Sequence, residues 1–473
     1  MNQLLTRFLI LIIALGAACQ MHAQIWNEIA KFNSPDTTPN NRFGHSLDIS
    51  GVYAVVGSPF IGANPNVQGK AYIYKWDGTN WNLDQTLMAS DGRPNDLFGS
   101  SVGIEGNTLV VGASNGMSIG DSSGAAYVFE MQGNSWVQQQ ILVDSLNHSF
   151  KMSSEFGSAV DVHQNMIAVG DYMSPHNSST TPNSGAVFLF ERNQNTWTQK
   201  QMITAADANL SNNFGASVTL SDSNLLIGES TSNEVIAFEK TNGVFSKTER
   251  VVKEASIVGP DVGDHISVYD NLAIVSARSD NSDTTLYGGL VYQKNAGSWQ
   301  QTAKLRCPPR TGGEVVVACS TKTAVVGMSG KIEMFESSNG SFNRTNQMVP
   351  SDRNSLPVND LALHLGWVIA GNSVDGVVYI FNTFPPSTST EDLGEPSNST
   401  LRVYPNPSTG TVYIESPNSP ISTVKVYASN GILLTTYLSH EWSGQLDLPE
   451  DKGLYLIEVS NGNQTDWKKV IRR

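Results

Sequence analysis

One arrangement of apolar and polar positions recurs along most of the chain. A typical copy opens at Phe98-Gly99, runs to Ile104, turns at Glu105-Gly106-Asn107 and resumes as Leu109-Val110-Val111-Gly112-Ala113. After a variable stretch come residues 125–130, a turn at Gln132-Gly133-Asn134, and a run from Trp136 to Val143. Four short β-rich runs separated by turn residues predict four strands per copy. The second run is apolar almost throughout in every copy, at 54–57, 109–112, 167–170, 225–228, 272–275, 324–327 and 367–371. A run without a polar face belongs to a strand covered on both sides. The fourth run alternates, as in Trp136-Val-Gln-Gln-Gln-Ile141, and suits an outer strand with one wet face.

The Phe-Gly opening returns at Phe43, Phe156 and Phe214 and decays to Val262-Gly263, Gly312-Gly313 and Val358-Asn359, at intervals of about 46 to 58 residues. Repeats of that size predict an all-β chain whose sheets stack as blades round an axis, a β-propeller. Fourth runs begin at Trp81, Trp136, Trp197, Phe245, Trp299 and Phe342, six for seven copies. The last copy ends at 377–381 without one. Residues 25–31, with Trp26, are expected to supply it, closing a seven-bladed ring and hiding two free sheet edges. Burying Trp26 there would contribute about 1.5–3 kcal/mol.

These copies resemble FG-GAP repeats, through Phe98-Gly99 and Val111-Gly112-Ala113 above all. The resemblance spans residues 24–384 and is closest in the first four copies. It implies the blades also found in integrin α-subunit heads and bacterial surface proteins. Some blades of that family carry a calcium loop, Asp-x-Asp-x-Asp-Gly, because calcium needs six to eight closely spaced oxygens. No copy contains it. The nearest segment, Asp207-Ala-Asn209-Leu-Ser211, lacks the following glycine and a closing acid, so neither a calcium cofactor nor any other metal site is expected.

Residues 385–400, rich in Pro, Ser and acids, read as an extended linker. Beyond it, short alternating runs at 411–415, 424–428, 431–437, 444–448, 453–459 and 468–471 predict a small Ig-like β-sandwich over 401–473. Tyr404-Pro405-Asn406-Pro407 with Gly410, then Val424-Lys425-Val426-Tyr427 before Gly431, then Gly453-Leu454-Tyr455, and the basic end at Lys468-Lys469, resemble in order and spacing the type A sorting domain of the type IX secretion system. That implies recognition by the type IX machinery at the outer membrane, followed by removal of the tag and attachment or release. At the other end, Arg7, the apolar stretch 8–18 and Met21-His22-Ala23 read as a signal peptide over 1–23. The apolar stretch is too short for a transmembrane anchor, and no other run is long enough. Cys19 follows Gly16-Ala17-Ala18, but Gly16 stands where acylation sites carry leucine, which favours cleavage after Ala23.

Composition narrows the function further. A net charge of -14 argues against a broad basic face for nucleic acid or anionic membrane. Cys307 and Cys319 lie towards opposite ends of an extended run, about 20 Å apart and beyond disulfide reach, so two idle buried thiols are expected. No two of the eight histidines have metal-ligand spacing. His45, His265 and His364 hold similar places near the starts of first strands, where the fold could bring them towards the axis; they are read instead as ordinary polar fillers. There is no nucleophile elbow and no phosphate loop, so no catalytic set is named.

The long connections all fall on one face of such a ring, where scaffolded loops carry recognition. Tyr172, His176, Arg278 and Asp280 on that face are the expected ligand contacts, against the plainer reading of variable solvent loops. The expected function is an exported binding or adhesion protein, at the cell surface or secreted, with an extracellular glycan or protein ligand. The alternative is a propeller hydrolase of extracellular polysaccharide, with an acid pair assembled across blades. A structural spacer is the third reading.

Overall fold

The computed structural model describes residues 24–382 and 402–472, apart from single positions, turn tips of the tail, and loops of which the longest are 61–66, 116–123, 145–153, 175–183, 206–211, 253–261, 279–286, 308–313 and 352–357. The expected signal peptide, the linker, Gly312-Gly313 and the Asp207-Asn209 segment lie outside the described residues.

All named elements are strands. Before residue 383 they form successive antiparallel sheets, an order consistent with a propeller. The second sheet is representative: Phe98–Glu105, Thr108–Ala113, Ala125–Gln132 and Ser135–Leu142, each paired with the next. The strand expected to be covered on both faces, Thr108–Ala113, is buried at every position. The apolar cores lie between neighbouring sheets: Val55 and Ile73 of one sheet pack with Leu109 and Tyr127 of the next.

The glycine that ends the second strand explains why the two halves of the repeat motif occur together. A Cβ on Gly112 would stand 2.0 Å from the carbonyl oxygen of Gly157, which opens the following copy with φ +91°. The Phe-Gly turn of one sheet therefore rests directly on the bare backbone of the sheet before it. Gly371 takes the same contact with Gly44, at 2.2 Å, and so joins the last copy to the first.

The outer strands carry a second periodic device. Gln140 donates from Nε2 to the carbonyl of Trp197 at 2.7 Å, and its Oε1 accepts the Trp197 N–H at 2.7 Å. Gln85 grips Trp136 in the same way, and Gln201 grips Phe245. Glu249 accepts the Trp299 N–H at 2.6 Å. Each of these side chains imitates a β-bridge between the outer strands of neighbouring sheets.

Closure differs from expectation in its register. The strand that completes the last sheet is Ala30–Asn33, antiparallel to Val377–Asn382. Gln24–Trp26 instead runs parallel to Asn346–Met348, as a fifth strand on the sheet before. Trp26 does stand six residues before Phe32, as Trp136 stands six before Leu142. Trp136 lies opposite Met131, near the end of a third strand of eight residues, whereas Val377–Asn382 has only six. The register that sets Phe32 opposite Val378 leaves no described residue of the last sheet opposite Trp26. Aromatic rings hold the seam instead: Phe32 on Tyr74, Phe43 on Tyr72, and Trp367 at 5.1 Å from Trp76 and 5.4 Å from Trp81.

The tail forms a three-stranded sheet, Arg402–Tyr404, Thr411–Glu415 and Ser443–Asp447, and a four-stranded one, Leu433–Leu438, Thr423–Ala428, Gly453–Ser460 and Thr465–Arg472. It has its own core around Val412, Val426, Ile457 and Val470. Cys307 and Cys319 are free and buried.

Candidate functional site

The first strands of the sheets, from Leu47–Ser50 round to Asp360–His364, touch one another in cyclic order, the last against the first. They enclose a cavity of about 1110 Å³. First strands have one sheet neighbour only, so their inner edges present unpaired N–H groups that need acceptors.

Side chains of the preceding sheet supply them. Asp48 accepts the N–H of Ile49 at 2.8 Å and that of Ile104, in the next sheet, also at 2.8 Å. Asp161 accepts from Val162 at 2.8 Å and Leu220 at 2.6 Å; Asp360 accepts from Leu361 and, across the seam, from Leu47, both at 2.8 Å. Thr219 and Ser267 do the same more weakly for Val268 and Cys319. Burial, with like charge nearby, pushes the Asp48 carboxyl up to about 8 against the pull of its N–H bonds, and burial likewise raises Asp360 to about 7. Both oxygens of all three acids are already engaged by the main chain.

At the hairpin end of the cavity, His163 is clamped between two sheets. Its Nδ1 meets Glu105 at 3.1 Å and its Nε2 meets Asp222 at 2.7 Å. Burial alone would lower this imidazole, but the two carboxylates outweigh it and hold it up at about 9. His45, His265 and His364 do line the cavity. Burial lowers all three, His265 and His364 to about 4. They do not share one level: His45 and His265 precede their strands, and His364 ends one. Among the described residues no group of three or more His, Cys, Asp or Glu side chains is placed to hold a metal ion.

Of the four loop-face residues expected to meet ligand, the structure describes one side chain. Tyr172 follows Asp171, whose buried carboxylate accepts the Ser154 hydroxyl and the Glu155 N–H at 2.8 Å. Burial and a hydrogen bond with Glu155 raise the Tyr172 phenol. Arg278 ends its strand opposite Tyr287, with its side chain outside the described set. His176 and Asp280 lie outside the described residues altogether.

In the tail, Tyr404 ends its strand opposite Tyr413, and Gly453 opens one opposite Arg472. Tyr455 is buried against Val470, and Lys468 lies opposite Ile457. Pro405, Asn406, Pro407 and Gly410 are outside the described residues.

The edge-capping acids and the outer-strand amides were not anticipated. Their signals are in the sequence: a charged residue inside an apolar run, Leu47-Asp48-Ile49 and Val160-Asp161-Val162, and an aromatic followed four positions later by Gln or Glu.

Among the described residues no helix is long and apolar enough to cross a membrane. The FG-GAP repeat model matches residues 26–74, 81–129 and 197–241, and the secretion system C-terminal sorting domain model matches 402–473. Neither is an enzyme family. No curated protein is matched. Among solved structures, similar chains include a candidate 6-phosphogluconolactonase from Bacteroides uniformis, with a TM-score of 0.47 at 12% identity over 67% of this chain and 88% of that one. Another, from Bacteroides fragilis, has a TM-score of 0.45 at 12% identity over 65% and 84%. A protein of unknown function from Desulfotomaculum acetoxidans has 0.46 at 12% over 66% and 89%.

Proposed function

For a chain that carries FG-GAP repeats and ends in a type IX sorting domain, and is therefore exported to the cell surface or beyond, we propose a non-catalytic binding role. Residues 24–384 act as a seven-bladed propeller that presents an extracellular glycan or protein ligand with the long-loop face and the cavity beneath it. Residues 401–473, as an Ig-like sandwich, deliver it to the type IX machinery, and residues 1–23 start its export as a signal peptide. The observation that carries the reading is the state of the cavity acids. Asp48, Asp161 and Asp360 spend both oxygens on main-chain N–H groups, which makes them wall supports of a binding chamber and leaves no free acid–base pair among them.

The test is the full chain against a glycan array and a panel of matrix proteins, with Tyr172→Ala and Arg278→Ala alongside. Retained ligand that weakens at least tenfold in either variant supports the role. A panel with no ligand, or binding indifferent to both changes, removes it. Polysaccharide cleavage that falls by orders of magnitude in Asp161→Asn would establish the hydrolase reading in its place.

A further inference from the structure

The cavity wall is lopsided in charge. Among the described residues, eight acidic side chains line it, with one lysine and no arginine; the ring's own cation, His163, is spent on Glu105 and Asp222. That lysine, Lys425, comes from the tail, and Tyr427 beside it lines the cavity too. Both lie on the strand Thr423–Ala428. Val424 and Val426 point into the tail's own core, so the alternate residues Lys425 and Tyr427 face out of the sandwich. Glu458, paired with Lys425 in register, also belongs to that outer face, yet it is only 8% exposed. It accepts the Tyr427 hydroxyl at 2.6 Å and meets the Lys425 ammonium at 3.4 Å. Tyr427 and Lys425 cover part of that carboxylate, and the ring residues that share a cavity lining with them lie over the same face. The ring residues that sense this face electrostatically are at the hairpin end: Asp270 feels Lys425 and Glu458, and Tyr269 feels Glu458.

We propose that the sorting domain seats on the hairpin-end mouth of the ring as a plug, with Lys425 as the cation that answers Asp270 there. The axial chamber is then closed on that side while the tag is attached and opens when the tag departs. The occupant is this chain's own tail. Charge complementarity selects it, because the ring's acids outnumber its one charged histidine and the lysine among the described lining residues comes from the tail. The seating stands independently of any ligand; only the consequence for loading rests on the binding role proposed above.

The full chain tests it. A carbodiimide joins an amine to a carboxylate that touches it. The expected product links Lys425 to Asp270, is lost in Lys425→Arg, and falls severalfold in molar salt. Coupling of Lys425 to Glu458 alone overturns the proposal. As a second reading, Lys425→Glu raises the radius of gyration in solution scattering while the β-sheet circular dichroism is unchanged. An unchanged radius overturns it as well. A cross-link without any glycan or protein ligand would leave the plug standing and remove only the binding role.

Discussion

Phe32 lies flat on Tyr74, with ring centroids 3.9 Å apart and planes within 5°. One ring comes from the closing strand and the other from the third strand of the first sheet, so this stack spans the seam where the ends of the chain meet. Phe32→Ala is expected to cost about 3–5 kcal/mol, as for other buried aromatics, read by urea denaturation. Deleting residues 24–26 should cost far less than deleting 30–33, which exposes the Val377–Asn382 edge and favours aggregation. Equal effects of the two deletions would contradict the closure described here.

The glutamine grips predict a contrast between neighbours. Gln140→Ala leaves the N–H and carbonyl of Trp197 without partners and should destabilise by about 1–3 kcal/mol. Gln139, whose amide bonds only the carbonyl of Val137 on the exposed surface, should stay within about 0.5 kcal/mol on the same change. Thermal melts of the two variants check it, and similar midpoints would deny the grip any weight.

Gly112→Ala tests the contact between copies. Its Cβ would fall on the Gly157 carbonyl at 2.0 Å, a collision of backbone with backbone that no rotamer relieves. A loss above about 3 kcal/mol is expected, in the range reserved for overpacking and strain. Gly133→Ala, in open space with φ +61°, should cost only about 1 kcal/mol, the strain of a left-handed residue.

His163 predicts a pH dependence with a definite sign. Its folded value, about 9, lies above the ordinary 6.5, so the folded chain holds an extra proton between them. The stabilisation is present in full below about pH 6.5 and is lost as pH rises through about 9. Asp222 is well exposed, so solvent screening limits the effect to about 1 kcal/mol. Melts of the native chain and His163→Gln from pH 6 to 10 should converge at the alkaline end; parallel curves would rule the clamp out.

What the sequence made legible follows from the physics of each signal. The buried second strands were plain because a strand covered on both sides has no polar positions to break its pattern, as in Leu109-Val110-Val111. The tail strands were equally readable: the expected run 411–415 coincides with Thr411–Glu415. Trp26 was misplaced because repetition identifies equivalent residues and says nothing about which sheet edge an end segment will pair with. Asp48 was passed over because an acid in an apolar run reads as a wet position until the open inner edge of the neighbouring sheet gives it two N–H groups to accept. The loop-face candidates carried no pattern of their own, because loops are under no requirement of periodicity.

The matched FG-GAP segments begin at the outer strand of one sheet and end with the third strand of the next, as in 81–129. Heredity's unit and the architectural unit are thus offset by one strand, and each sheet is assembled from two successive units. Gaining or dropping a whole unit leaves every internal sheet with its full complement. Only the junction between the two termini must then be renegotiated, which lets circles of this kind change circumference without passing through a broken intermediate.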